Sequence, residues 1–303
     1  MAGASPDRSQ LTSNDPGNVM RDRPTKTLPS FVVIGSAKSG TTSLCEYLGM
    51  HPQVFVSEPK EPQFFPLEFN WGRGVDWYAA HFAGAGDARA IGEGSTTYTR
   101  YPHSKGVPER MHSLLPEARL VYLVRHPIER MISQYQQHVW HGWEQERSAE
   151  RALRDNPFYT DISRYATQLE QYVAFFPRDR LLVISSEQLK ADREAAMRRV
   201  FAFVGVDPNV ELAGLERTFN ATDDKRRPRK LDGMMRRLPG YVGVASHIPE
   251  PIRKAKYRLT TKGSGPRPAI SATLRKDLED LLRDEVRRLR PYMGPEFDGW
   301  SIA

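Results

Sequence analysis

Five short runs of consecutive apolar residues punctuate the chain, at 31–34, 54–56, 90–92, 120–124 and 181–184. None alternates with a period of two, so each reads as a strand covered on both faces, as in a parallel sheet. Between them the period becomes helical. Helices are predicted over 41–50, 127–141 with Pro127 in the first turn, 165–176, 192–204 and 271–292. The last carries Leu274, Leu278, Leu281, Leu282, Val286 and Leu289 at helical spacing. Residues 156–163 and 225–268 read as loops or irregular insertions, the second rich in Pro, Gly and basic side chains. Strands separated by helices specify an α/β fold with one mostly parallel sheet.

Composition narrows the setting. Residues 1–28 are rich in Ser, Pro, Asp, Asn and Arg, lack the apolar stretch of a signal peptide, and read as a disordered lead-in. No repeat or linker interrupts 29–303, which is expected to form one domain. No run approaches the about 20 apolar residues of a membrane span, so the expectation is a cytoplasmic protein. The one cysteine, Cys45, falls in a predicted helix with no activating pattern and reads as a buried, inert thiol. Net charge is +7 but unevenly placed: between Arg217 and Arg290 stand 20 Lys and Arg against 9 Asp and Glu. Such asymmetry suits an anionic partner, although a solvated basic face explains any single residue in the run.

The chemistry concentrates after the first strand, in GSAKSGTTSL at 35–44. A strand, a small-residue loop and a helix make a phosphate cradle, in which Gly35 and Gly40 permit tight turns. Amides at the helix start point toward an anion. Lys38 adds a charge, and Ser39, Thr41, Thr42 and Ser43 offer hydroxyls. The order differs from the nucleoside-triphosphatase motif Gly-x4-Gly-Lys-Ser/Thr, because Thr41 follows Gly40 and the lysine lies two residues before it. In open α/β sheets ligands sit at the carboxyl ends of the strands. There, after the fourth strand, Arg125 precedes a helix carrying Ser133, a pair that could clamp a second phosphate; a structural salt bridge is the competing role for Arg125.

GSAKSGTTSL at 35–44, EPKEPQFF at 58–65 and LVRHPIERMIS at 123–133 together resemble the sulfotransferase family that uses 3′-phosphoadenosine-5′-phosphosulfate (PAPS). The heparan-sulfate-like and bacterial carbohydrate branch is the nearest. FPRDRLLVISSEQL at 176–189, VFAFVGV at 200–206 and the Lys262-Gly263 stretch with the final helix fit as well, so the resemblance covers nearly the whole chain. It implies a P-loop-type three-layer fold with a central sheet of about five strands flanked by helices. It also implies roles: Lys38, Ser39, Gly40, Thr41, Thr42 and Ser43 for the 5′-phosphosulfate, Arg125 and Ser133 for the 3′-phosphate, and Lys262, Gly263 and Ser264, continuing to Pro266, closing over the nucleotide. Glu61 takes the position of the general base, with Glu58 as rival and His103, His126, His138 and His141 as candidates by analogy with another branch. Lys38 would stabilise the leaving group without a Walker-type metal, so no metal is implied.

Two departures stand out. GEGSTTY at 92–98 puts Gly94 where heparan-type relatives often carry an active-centre lysine, so that contact is missing or supplied elsewhere. His126 stands where an Asp or Asn commonly follows the cofactor arginine. The acceptor is expected to be a hydroxylated carbohydrate or small metabolite, with Trp71, Trp77, Tyr98, Trp140, Trp143, Phe158 and Tyr159 as aromatic faces for stacking or for core packing. The alternatives are an ATP-dependent P-loop kinase, a nucleic-acid-binding protein suggested by the basic run, and a catalytically dead nucleotide-binding module. The nucleic-acid reading lacks a recognition motif or stacking array.

Overall fold

A computed structural model describes residues 26–212, 214, 226–228, 261–263 and 267–302. The lead-in expected over 1–28 therefore lies outside the described residues, apart from its last three. Five strands, β1 Phe31–Gly35, β2 Val54–Val56, β3 Ala90–Glu93, β4 Arg119–Val124 and β5 Leu181–Ser185, form one sheet in the order β2-β3-β1-β4-β5. All four pairings are parallel. The predicted strands match these to within one residue at either end.

Every residue of β1 and β5 is buried, because helices cover both faces. Pleating divides the strand residues between two cores. Val32, Ile34, Leu120, Tyr122, Val124, Leu181 and Val183 face an aromatic layer of Phe64, Phe65, Tyr78, Tyr98 and Tyr172. Phe31, Val33, Val121, Leu123, Leu182 and Ile184 face the helices α1 (Thr41–Gly49) and α9 (Arg193–Val204). A third cluster joins Ile128, Met131, Ile132 and Tyr135 to Leu153, Tyr159, Leu274, Leu278 and Leu282. These lie on α4 (Pro127–His141), α5 (Ala149–Asp155), α6 (Pro157–Ser163) and α10 (Ala272–Met293). The remaining described helices are α2 (Gly74–Ala80), α3 (Val107–Leu114), α7 (Tyr165–Val173) and α8 (Ser186–Ala191).

Three expectations need correction. Residues 156–163, read as a loop, contain α6: the Asn-Pro pair that signals a turn is here a helix start. Asn156 Oδ1 accepts from Phe158 N at 3.1 Å and Pro157 occupies the first position. Within the supposed insertion 225–268, Arg226–Pro228 pairs antiparallel with Thr261–Gly263 as a short ribbon, β6 and β7. Leu281, placed on the apolar stripe of α10, is 48% exposed, whereas Leu274, Leu278, Leu282, Val286 and Leu289 are buried.

Because β3 and β4 flank β1, the turns at 36–40, 94–98 and 125–126 emerge side by side at the carboxyl end of the sheet. This is the switch point of the topology, and the candidate residues collect there.

Candidate active site

The cradle begins where β1 leaves the sheet. Ser36 N donates to Leu123 O at 2.6 Å and Ser39 N to Ser36 O at 3.2 Å, while the Ser36 and Ser39 hydroxyls share a buried 2.6 Å hydrogen bond. Lys38 and Gly40 take left-handed φ of 71° and 98°, curling the loop back toward the first turn of α1. Gly40 caps that helix without a side chain, and no acidic residue lies in its first turn. The positive end of α1 is therefore open to an anion rather than neutralised by the protein.

Arg125 closes the other side. Its Nη1 donates to Lys38 O at 3.3 Å, so it braces the cradle's backbone. Among the described residues no carboxylate lies within ion-pair distance of it. Burial first, and then the nearby charge of Arg267, lower its pKa. Arg267 itself pairs with Glu129 in the first turn of α4, where Arg275 also reaches Glu129 at 3.0 Å. Two guanidinium groups thus converge beside the cradle, and Arg267 was not singled out in the sequence because it lies 142 positions away. The turn that presents Arg125 is held from three elements. Tyr165 Oη donates to Arg125 O at 2.7 Å, His126 N to Glu187 Oε1 at 3.2 Å, and Trp300 Nε1 to Glu187 Oε2 at 3.2 Å. Ser133 is buried on α4. Lys262 and Gly263 pair through their backbones with Arg227 and Arg226, and Ser264 lies outside the described residues.

Glu61 joins the cradle through a lysine. Lys60 Nζ lies 2.7 Å from Glu61 Oε1 and donates to Thr41 Oγ1 at 3.4 Å. The other carboxylate oxygen, Oε2, accepts from Thr96 Oγ1 at 3.4 Å. The base candidate and the anion cradle are therefore neighbours, linked by a cation shared between them. Gly94 explains the route. A Cβ at that position would lie 2.5 Å from Cys45 Sγ and 3.9 Å from Lys60 Cδ, so the Lys60 stem runs past the place that Gly94 leaves bare.

Beneath this pair lies Glu93, fully buried, receiving Ser95 Oγ at 2.6 Å, Tyr78 Oη at 3.0 Å and the Tyr98 hydroxyl. Burial lifts its pKa to about 7; its three hydroxyl donors oppose that shift and the Glu61 charge adds to it. Cys45 is buried, and desolvation pushes its thiol up to about 12, as expected of an inert cysteine.

The histidines weighed as bases differ in their surroundings, and His126 Nδ1 is buried with no hydrogen-bond partner among the described residues. His103 Nε2 lies 3.1 Å from Asp161 Oδ2. Burial lowers the pKa of His126, and burial together with the Arg100 charge brings His138 down to about 4. Several of the aromatic candidates prove to be core: Tyr98 and Tyr159 are buried, and Trp71 packs on Phe64 at 5.1 Å between centroids. Trp143 is the exception at 68% exposed, stacked on His141 at 4.5 Å.

Comparison with known proteins brings four matches to this geometry. The family described as Sulfotransferase domain matches residues 28–227. Human bifunctional heparan sulfate N-deacetylase/N-sulfotransferase 2 is 28% identical over 224 residues, covering 65% of this chain and 24% of its own length. The chain thus spans about a quarter of that relative. Human heparan sulfate glucosamine 3-O-sulfotransferase 6 is 27% identical over 287 residues, covering 90% of this chain and 74% of its own. In structure, a sulfotransferase from Alicyclobacillus acidocaldarius superposes with a TM-score of 0.64 at 23% identity, over 91% of this chain and 99% of that one. The fold is shared. The kinase and nucleic-acid alternatives gain no support from these matches.

Proposed function

The chain belongs to the sulfotransferase family, and we propose that it transfers a sulfuryl group from PAPS to a hydroxyl or amine of a carbohydrate or small metabolite. The observation that carries this reading is the Lys60 bridge, which sets the Glu61 carboxylate against Thr41 of the anion cradle. Attacking group and donor would meet across that bridge.

The residues present fit such a donor. The uncapped start of α1, with Lys38 in the loop before it, suits a phosphosulfate; Arg125, braced on Lys38 O and without a carboxylate partner among the described residues, suits a second phosphate with Ser133. When bound, the donor supplies an activated sulfuryl group and departs as the 3′,5′-bisphosphate. The chain supplies the rest. Glu61 takes the acceptor's proton as its oxygen or nitrogen attacks, a contribution of about 10²–10⁴ in rate for a positioned base. Lys60 and Thr96 hold that carboxylate in register. Lys38 offsets charge on the leaving oxygen, where fixed charge is most effective. Lys262 and Gly263, with Ser264, are assigned to closure over the nucleotide.

The relatives named for heparan sulfate support a carbohydrate acceptor, and the exposed Trp143 offers a face on which a sugar ring could stack. The test is release of 3′,5′-bisphosphate from PAPS with a panel of N-acetylated, N-deacetylated and O-desulfated oligosaccharides and small alcohols. Turnover with one acceptor class is expected. Arg125→Ala should weaken bisphosphate binding at least tenfold by calorimetry. Unchanged affinity would remove Arg125 from the donor site, and absence of both binding and turnover would overturn the reading.

A further inference from the structure

The segment that carries Lys60 and Glu61 is tied to the turn after β3 at four points. Gly94 N donates to Lys60 O at 2.9 Å. Thr96 Oγ1 donates to Glu61 Oε2 at 3.4 Å. Gln63 N donates to Ser95 Oγ at 2.9 Å and Phe64 N to Tyr98 Oη at 3.0 Å. A fifth tie comes from outside, Asn70 Nδ2 to Pro62 O at 2.8 Å. Gln63 holds a left-handed φ of 50°, a conformation that a non-glycine residue keeps only when its surroundings impose it.

Two of these ties are relays with a fixed direction. An amide N–H can only donate, so the Ser95 and Tyr98 hydroxyls accept from Gln63 and Phe64 and must pass their own hydrogens onward. Both pass them to Glu93, Ser95 to Oε2 and Tyr98 to Oε1, and Tyr78 from α2 donates to Oε1 as well. The carboxylate is the common acceptor that orients every hydroxyl in the set. It is fully buried, and no cation is ion-paired with it among the described residues.

Resting on the proposed sulfuryl transfer, we infer that Glu93 is a positioning residue for that reaction: it fixes Glu61 at the edge of the cradle through the Ser95 and Tyr98 relays. The physical argument concerns hydrogen-bond polarity. Glu93→Gln keeps the shape but presents an N–H where a hydroxyl already donates, leaving one hydroxyl hydrogen without an acceptor in a buried site. The relay reorients, and the amides of Gln63 and Phe64 lose their partners.

Amide hydrogen exchange and steady-state turnover on the full chain test this together. In Glu93→Gln, exchange at Gln63 and Phe64 should quicken at least tenfold while the β1 amides hold their wild-type rates. Ser95→Ala should quicken Gln63 alone and Tyr98→Phe should quicken Phe64 alone, a pattern that general destabilisation would not give. Turnover of PAPS should fall at least tenfold in Glu93→Gln with 3′,5′-bisphosphate affinity within twofold of wild type. Adding Ser95→Ala to Glu93→Gln should lower turnover no further. Unchanged exchange at Gln63 and Phe64, or quickened exchange with undiminished turnover, would overturn the inference. Wild-type protein that neither binds 3′,5′-bisphosphate nor turns over PAPS would overturn the functional reading instead, and the exchange pattern would then decide the relay by itself.

Discussion

Gly40 shows how much of this site depends on single residues. A Cβ there would find Leu123 Cδ2 at 3.8 Å, an ordinary contact, so space does not exclude a side chain; the φ of 98° does. Forcing a left-handed turn on an L-residue costs about 1–2 kcal/mol, and the loop can shed that cost by opening the cradle. Gly40→Ala is therefore expected to weaken bisphosphate binding by about tenfold, with a melting temperature close to wild type; equal affinity would show that the cradle does not rely on this turn. Glu93 makes a prediction in pH. Its pKa stands at about 7 in the folded chain, above the ordinary carboxylate value, chiefly from burial. Between those values the folded state holds a proton that the unfolded chain has released, so stability is lost as pH rises through about 7. The groups that act most on it after burial are Ser95, Tyr98, Tyr78 and Glu61, none of them a cation, and the nearby Lys60 is paired with Glu61. The melting temperature should fall more steeply from pH 5 to pH 8 in wild type than in Glu93→Gln; parallel slopes would contradict it. None of this hub was legible in the sequence, where Glu93 is one carboxylate among many and its partners come from three separate segments. Lys38, Arg125 and Glu61 were legible because each lies in a short motif beside a strand end.

Among the elements, legibility followed length and burial. The five strands could be read because a strand covered on both faces is apolar without interruption, and α4, α9 and α10 because they run long enough to show a helical period. The helices α2, α5, α6 and α8 have seven residues or fewer; two turns give no period to read, and their starts are set by caps such as Asn156 and Ser185. The pairing of Arg226–Pro228 with Thr261–Gly263 is a long-range contact without apolar alternation, so nothing local announced it. Strand register makes its own demand. Phe31 stands opposite Gly92, and a Cβ at 92 would lie 2.2 Å from the Phe31 ring. Gly92→Ala should cost about 3 kcal/mol by overpacking β1 against β3, seen as a lower denaturant midpoint; an unshifted midpoint would mean that the ring can move aside.

Across the whole molecule, the basic run that suggested an anionic partner is partly accounted for within α10. Arg275 joins Glu129, Lys276 joins Asp280, and Arg288 joins Asp284, Glu285 and Glu170. Exposed pairs of this kind are worth little individually; at the carboxyl end of the sheet Lys38, Lys60, Arg125 and Arg267 gather, with Lys60 paired to Glu61 and Arg267 to Glu129. The sheet order sets the cradle after β1 beside Arg125 after β4, and the Glu61 segment, which follows β2, reaches them by its ties to the turn after β3. In the proposed reaction Glu61 acts on the acceptor while the cradle holds the donor. The most direct measurement is turnover of PAPS by Glu61→Gln alongside calorimetric binding of 3′,5′-bisphosphate. Turnover should fall at least a hundredfold with affinity within about twofold of wild type, as expected for loss of a general base alone. Normal turnover in Glu61→Gln would contradict it.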